Sequence, residues 1–343
     1  MSQMIEPRPT TGFMTVDLEK NGRQTGFIRI PHSPHDDAWG VTQVPVGIIK
    51  NGSGPTVILE GGNHGDEYEG PIVISELMRE LDPAMIQGRL ILMPSNNIHA
   101  AIAGHRVSPV DGLNFNRTFP GDPRGTITQQ ISAFIYDYIF PHGDAFLDLH
   151  SGGSSLDIIP SAIIEPSADP VLAKKNIAAV QAFGAPMTVV IANMGDPRTA
   201  TASAVRAGLI TVGTEMGGGG TVSLEALAVC RKGVRNVLAH LGVLPPEMAV
   251  PSKPSTILEL PGSRAYVFAS MDGVFEPFHK NGVTVTTGQP AGRIHCLWDL
   301  SRPPETVYYN ADGILYGRRQ PGRVRPGNCC LVVATVADLP NGA

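Results

Sequence analysis

Residues Thr56-Val-Ile-Leu-Glu60-Gly-Gly-Asn-His64-Gly-Asp-Glu67-Tyr-Glu-Gly70 pass from an unbroken apolar run into a glycine-rich turn carrying acids and a histidine. A continuous apolar run of this length reads as a strand buried on both faces. Pro71 then falls in the first turn of a helix expected over 70–81, where a missing N–H costs nothing. Strand, polar turn and helix in that order make the repeating unit of an α/β sheet, and ligands gather where its strands end.

Working outward, the same unit recurs. Leu90–Met93, Ala145–His150, Met187–Ile191 and Leu209–Thr214 read as strands, and 127–139 and 223–241 as helices. Two leading strands, within residues 26–49, flank a His/Pro/Asp loop. The expected fold is α/β, with a mixed, largely parallel central sheet flanked by helices. Past Pro245-Pro246 and Pro251 the helical periodicity stops. Asp272-Gly-Val-Phe275, followed by Gly282 and Gly288, recurs as Asp312-Gly-Ile-Leu315, followed by Gly322 and Gly327. Two such strand-turn units predict a C-terminal all-β sandwich or barrel. The expected division is residues 1–48 as N-terminal strands packed on a catalytic domain at 49–250, and a β-domain at 255–343.

Composition narrows the function. Net charge is −5, with acids and bases intermixed, so neither a nucleic-acid footprint nor an acidic tail is present. No apolar stretch reaches the ~18 residues that a membrane span needs. The N-terminus lacks the pattern of a secretory signal. The four cysteines form no C-x-x-C pair. A reduced, cytoplasmic protein is expected, with a homo-oligomer left open.

The chemistry-bearing residues fall in three segments. His64 and Glu67 lie three apart in a turn, close enough to face one point, and both are good zinc donors. A catalytic zinc has three protein ligands and an open position, so a third donor is needed. His150 ends a predicted strand and runs into Ser151-Gly-Gly153, which puts it at the same sheet edge as His64. Asp148, two residues earlier, could orient an imidazole or serve as a buried structural carboxylate. The second segment, Gly104–Gly121, offers Arg106, Asn114, Asn116 and Arg117. Arginine forks onto carboxylates, and asparagine both donates and accepts. Such a loop beside a metal would bind the substrate's carboxylate, and one arginine would polarise the scissile carbonyl. Third, Glu215 ends the strand before Gly217–Gly220 and is placed to act as general base.

These segments, in this order, resemble the succinylglutamate desuccinylase/aspartoacylase family of zinc carboxypeptidase-like hydrolases. The likeness rests on Gly62-Asn-His-Gly-Asp-Glu67, Asn114-x-Asn116-Arg117-x-Phe119-Pro120-Gly121, Asp148-Leu-His150 and Glu215, and it covers most of residues 45–335. It implies one Zn2+ per chain on His64, Glu67 and His150, with Glu215 as general base. It also implies a substrate grip by Asn116 and Arg117, with Arg106 as the earlier arginine. A C-terminal β-domain partly covering the active site is a further family feature. The long N-terminal region, the Gly-His-Arg-Val-Ser-Pro loop and the glycine run after Glu215 are similar to the bacterial branch that deacetylates N-acetyl-diaminobutyrate in ectoine breakdown.

The expected activity is therefore hydrolysis of a small N-acyl amino acid, most simply Nα-acetyl-L-2,4-diaminobutyrate. One rival keeps the chemistry and cuts peptides as a metallocarboxypeptidase; another deacylates succinylglutamate or acetylaspartate. A third, of another class, is an inactive metal-bound binding protein, which a buried base such as Glu215 argues against. A biotin- or lipoyl-carrier role for the repeat is discounted, because neither turn presents a lysine as such carriers do.

Overall fold

The computed structural model describes residues 5–191 and 196–339. In chain order, β1 (Phe13–Met14), β2 (Gly22–Pro31), β3 (Val41–Asn51) and β4 (Thr56–Gly61) lead into α1 (Glu69–Glu80). Then come β5 (Gly88–Met93), α2 (Ile98–Ala103), α3 (Ile127–Phe134), β6 (Ala145–His150), β7 (Leu156–Ile164), α4 (Pro170–Phe183) and β8 (Met187–Val190). α5 (Ala200–Arg206), β9 (Ile210–Gly218) and α6 (Leu224–His240) close the helical part. Apart from short 3-10 turns at Pro246–Met248 and Gly262–Ala265, the remaining elements are strands: β10 (Thr256–Glu259), β11 (Tyr266–Phe268), β12 (Gly273–Pro277), β13 (Thr284–Val285), β14 (Pro290–His295), β15 (Glu305–Tyr308), β16 (Gly313–Arg319), β17 (Arg323–Val324) and β18 (Cys329–Val336).

The expected α/β sheet is present. β5, β4, β6 and β9 lie side by side and parallel, so their C-terminal ends share one edge. β3 pairs antiparallel to β5, and β7 antiparallel to β9. Successive side chains of a strand point to opposite faces, and here each face has its own core. Val57, Leu59, Leu147 and Leu149 pack under α1, α4 and α6. Ile58, Ile91 and Phe146 pack with Ile131, Phe134 and Ala204 from α3 and α5. These residues are almost wholly shielded from solvent, which is why the strands read as unbroken apolar runs. α1 follows the same logic: Val73, Ile74 and Leu77 form its buried stripe.

The helix expected over 127–139 is α-helical only to Phe134 and widens to a π-turn over Ile135–Ile139. There Asp137 is buried and holds Arg8 at 2.8 Å. β7, α4 and α5 are additions that periodicity did not bring out. β7 contains Pro160, and a proline inside an apolar run argues against a strand. It is tolerated because the β7–β9 register shifts between Ile158 and Ser161, a bulge where a ladder N–H is dispensable.

β10, β11, β13, β16 and β18 continue the main sheet, with β8 paired to β10, β10 to β18, and β16 to β7, whereas β15, β14, β12 and β17 form a separate four-stranded sheet. The two Asp-Gly units exchange short strands. Gly273 pairs with Val324 of the second unit, and Gly313 with Val285 of the first. Among the described residues, no helix is long and apolar enough to cross a membrane.

Candidate metal centre and active site

The parallel register sets the site. Glu60 lies beside Asp148, Gly61 beside Leu149, and His150 beside Glu215. Beyond Gly61 the chain turns through 62–68 before α1 begins, so His64 and Glu67 sit in the entering loop. That loop is pressed onto α2. A Cβ on Gly65 would lie 2.0 Å from the backbone carbon and oxygen of Ala100. The space beside this glycine is therefore filled by backbone, not kept for a ligand. Gly218 is similar: its φ is +137°, and a Cβ would lie 2.1 Å from the Leu156 carbonyl oxygen.

His64, Glu67 and His150 converge, with one donor atom from each lying within 4.8 Å of the others. His64 Nδ1 is 2.7 Å from Glu67 Oε1, and His150 Nδ1 is 2.8 Å from Oε2. The far ring nitrogens are held from behind. His64 Nε2 lies 3.1 Å from Asn114 Oδ1, and His150 Nε2 lies 3.0 Å from Asp148 Oδ1. Asn63 Nδ2 in turn donates to Asp148 Oδ1 at 3.1 Å. Such partners fix the tautomer and leave Nδ1 free to coordinate. With its Nε2 proton given to Asn114, His64 presents an Nδ1 lone pair to a carboxylate oxygen, a contact that a cation between them satisfies. Two imidazoles and a carboxylate, with a cavity on their open side, match the donor set that catalytic zinc sites use, so these three residues could hold a metal ion.

Electrostatics agree. Burial alone would raise the Glu67 carboxyl, but the two imidazoles hold it well below the usual carboxylate range. Burial keeps His64 below its ordinary value. His150 is also penalised by burial, yet Asp148 and Glu67 raise it well above the usual histidine range. Glu215 is pushed up to about 8, first by burial and then by the charge of Glu67.

A cavity of about 270 Å³ opens beside this centre. That is just below the ~300–1,000 Å³ typical of ligand pockets, so it suits a small substrate. Arg106, Asn116, Arg117 and Glu215 line it, with an apolar wall from Leu156, Ile158, Ile163 and Ile191. Arg106 Nη1 reaches within 3.6 Å of Glu67 Oε1 and 3.4 Å of His64 Nδ1. Arg117 stands farther out, its Nε 3.3 Å from Asp196. Asn116 accepts from the first N–H of α5 through Oδ1, at 2.8 Å, and turns Nδ2 toward His150.

Asn114, expected among the substrate-binding groups, stands behind His64 and does not line this cavity. The apolar wall was missed, because most of it comes from the unrecognised strand β7. Asn63 and Asp66 were also missed, although both lie inside the first motif. Asp66 Oδ2 accepts from the backbone and hydroxyl of Ser154, each at 2.7 Å, and so ties the two ligand loops together.

The model of the succinylglutamate desuccinylase/aspartoacylase catalytic domain matches residues 53–241, the segment that carries every group just described. The chain belongs to the succinylglutamate desuccinylase/aspartoacylase family. It is thus a hydrolase of amide bonds in acylated small molecules. It is 38% identical to the N-alpha-acetyl-L-2,4-diaminobutyric acid deacetylase of Halomonas elongata, over 97% of each chain. Among solved structures, a succinylglutamate desuccinylase/aspartoacylase from Rhodobacter sphaeroides is 41% identical with TM-score 0.89, covering 96% of this chain and all of that one. The product-bound ectoine utilization protein EutE of Ruegeria pomeroyi is 36% identical with TM-score 0.91, at the same coverage.

Proposed function

We propose that this family member is a zinc-dependent amidohydrolase that removes the acetyl group from Nα-acetyl-L-2,4-diaminobutyrate. The observation that carries this reading is the likeness to the Halomonas deacetylase over nearly the whole of both chains. The small cavity supports it, because its Leu156, Ile158, Ile163 and Ile191 wall suits an acetyl methyl better than the second carboxylate of a succinyl group.

On this reading His64, Glu67 and His150 hold the zinc, which supplies Lewis-acid polarisation of the acyl carbonyl and acidifies water. Glu215 takes the proton of the attacking water and delivers it to the departing amine. Arg106, which reaches the ligand cluster, stabilises the carbonyl oxygen as charge builds on it. Arg117 and Asn116 grip the carboxylate of the amino acid. Asn114 and Asp148 aim the two imidazoles. Residues 255–343 act as a β-sandwich or barrel unit beside the 49–250 catalytic segment, and residues 1–48 buttress the sheet. The exchanged short strands of the two Asp-Gly units support that division. Four free cysteines are in keeping with a cytoplasmic setting.

The deciding experiment is metal analysis of the purified protein, coupled to a screen of acetyl, succinyl and formyl amino acids and of dipeptides. Stoichiometric zinc and fastest turnover of the acetylated diamino acid are expected. Preference for a succinyl substrate or a dipeptide, or full activity after chelation, would refute the reading.

A further inference from the structure

Strand register places three side chains in one row. His150 is the neighbour of Glu215 across β6–β9, and Glu215 is the neighbour of Ser161 across β9–β7. Paired residues on adjacent strands project to the same face. Ser161 therefore stands beside Glu215 on the side opposite the metal ligands. Its Oγ lies 2.5 Å from the hydroxyl of Tyr316, which β16 brings in from the C-terminal strands. Both residues are buried, Ser161 completely.

Two hydroxyls joined by one hydrogen bond leave one O–H hydrogen over. Next to them, Glu215 Oε2 is a buried acceptor without a hydrogen-bond partner among the described residues. Cα atoms of antiparallel neighbours are about 4.5–5.5 Å apart, which brings a serine hydroxyl within rotamer reach of such a carboxylate. The Tyr316 hydroxyl is raised above its ordinary value by burial and, next, by the charge of Glu215 itself. Leaving a buried carboxylate oxygen unpaired is costly, so a hydroxyl at the paired position of the neighbouring strand has a strong reason to turn toward it.

We infer that Tyr316 donates to Ser161, and Ser161 donates to Glu215 Oε2, so that the pair holds the base with its other oxygen toward the cavity. No bond to substrate is involved, and both are positioning residues. The chain of hydroxyls also ties the base to the C-terminal strands, so the orientation of Glu215 depends on a segment far away in sequence. The inference rests on the reading of Glu215 as the general base.

The test compares Ser161→Ala, Tyr316→Phe and the double variant, alone and in a Glu215→Gln background, with zinc content, kcat and KM measured separately. Each single variant is expected to lose about tenfold or more in kcat, with KM and zinc unchanged. The double variant should be no worse than Ser161→Ala, because the two groups act in series. In the Glu215→Gln background neither substitution should lower the residual rate further. Unchanged kcat in both single variants, or equal losses with and without Glu215, overturns the inference. Full activity of Glu215→Gln alone overturns instead the reading of the base. Should a deletion melt below the assay temperature, Ser161→Thr decides, since it keeps the hydroxyl. Wild-type-like kcat is expected of it, and a tenfold loss in a folded, zinc-loaded Ser161→Thr protein also overturns the inference.

Discussion

The carboxylate of Asp148 lies 3.0 Å from Nε2 of His150, whereas the matching nitrogen of His64 meets the neutral amide of Asn114, at 3.1 Å. The two imidazoles are thus aimed by partners of different charge. Asp148→Asn is expected to weaken zinc binding by about 10–100-fold, the usual effect of losing a group that orients a ligand. Asn114→Ala should weaken it less, because a neutral acceptor adds less basicity to the ring. Competition with a zinc-chelating dye measures both, and equal affinities for Asp148→Asn and wild type would contradict the assignment.

Metal binding should be coupled to protons. In the metal-free protein, His150 is raised above the ordinary histidine range, so it carries a proton at pH 7, while His64 is neutral and Glu67 ionised. Coordination requires neutral imidazole, so zinc binding at pH 7 is expected to release about one proton from this group. Titration calorimetry in buffers of different ionisation enthalpy reads that number directly. The same raised value stabilises the metal-free fold below the unfolded histidine pKa of ~6.5. That contribution is lost as pH rises through the folded value, so the metal-free protein should melt earlier in mildly alkaline buffer than at pH 6.

Glu215→Gln keeps the size of the side chain and removes its basicity. The expected loss in kcat is about 10²–10⁴-fold, the range for a general acid–base group. Zinc content should be unchanged, because Glu215 is not among the three converging donors.

The two arginines should separate kinetically. Arg106 sits at the ligand cluster, so Arg106→Ala should lower kcat by about 10²–10³-fold, as loss of an oxyanion donor does. Arg117 lies out beside Asp196, so Arg117→Ala should act mainly by raising KM. The reverse pattern would exchange their roles.

Gly65→Ala tests the packing that carries the first ligand loop. The new methyl would lie 2.0 Å from backbone atoms of Ala100, which no side-chain rotation can relieve. A loss of about 1–3 kcal/mol or more in unfolding free energy is expected, together with weaker zinc binding, because His64 is the preceding residue. Chemical denaturation and metal analysis on one sample check both.

Much of the fold was legible because its strands are buried on both faces and read as apolar runs: Val57-Ile-Leu59, Leu90-Ile-Leu-Met93 and Phe146-Leu147. Strand β7 was not legible. Pro160 breaks the pattern, and only the bulge against β9 makes room for it. With β7 went the apolar wall of the cavity and Ser161. Asn114 was visible as part of a motif, but no spacing rule says that a side chain 50 residues from His64 will bond its ring.

The sequence by itself determined the donor chemistry and the ends of the strands that present it, since residue type and apolar run are local properties. Tertiary structure alone decided which donors meet, which asparagine stands behind a ligand and which faces the cavity, and that β16 reaches back to Ser161. Those are matters of register and crossover, set by the packing of segments that lie far apart along the chain.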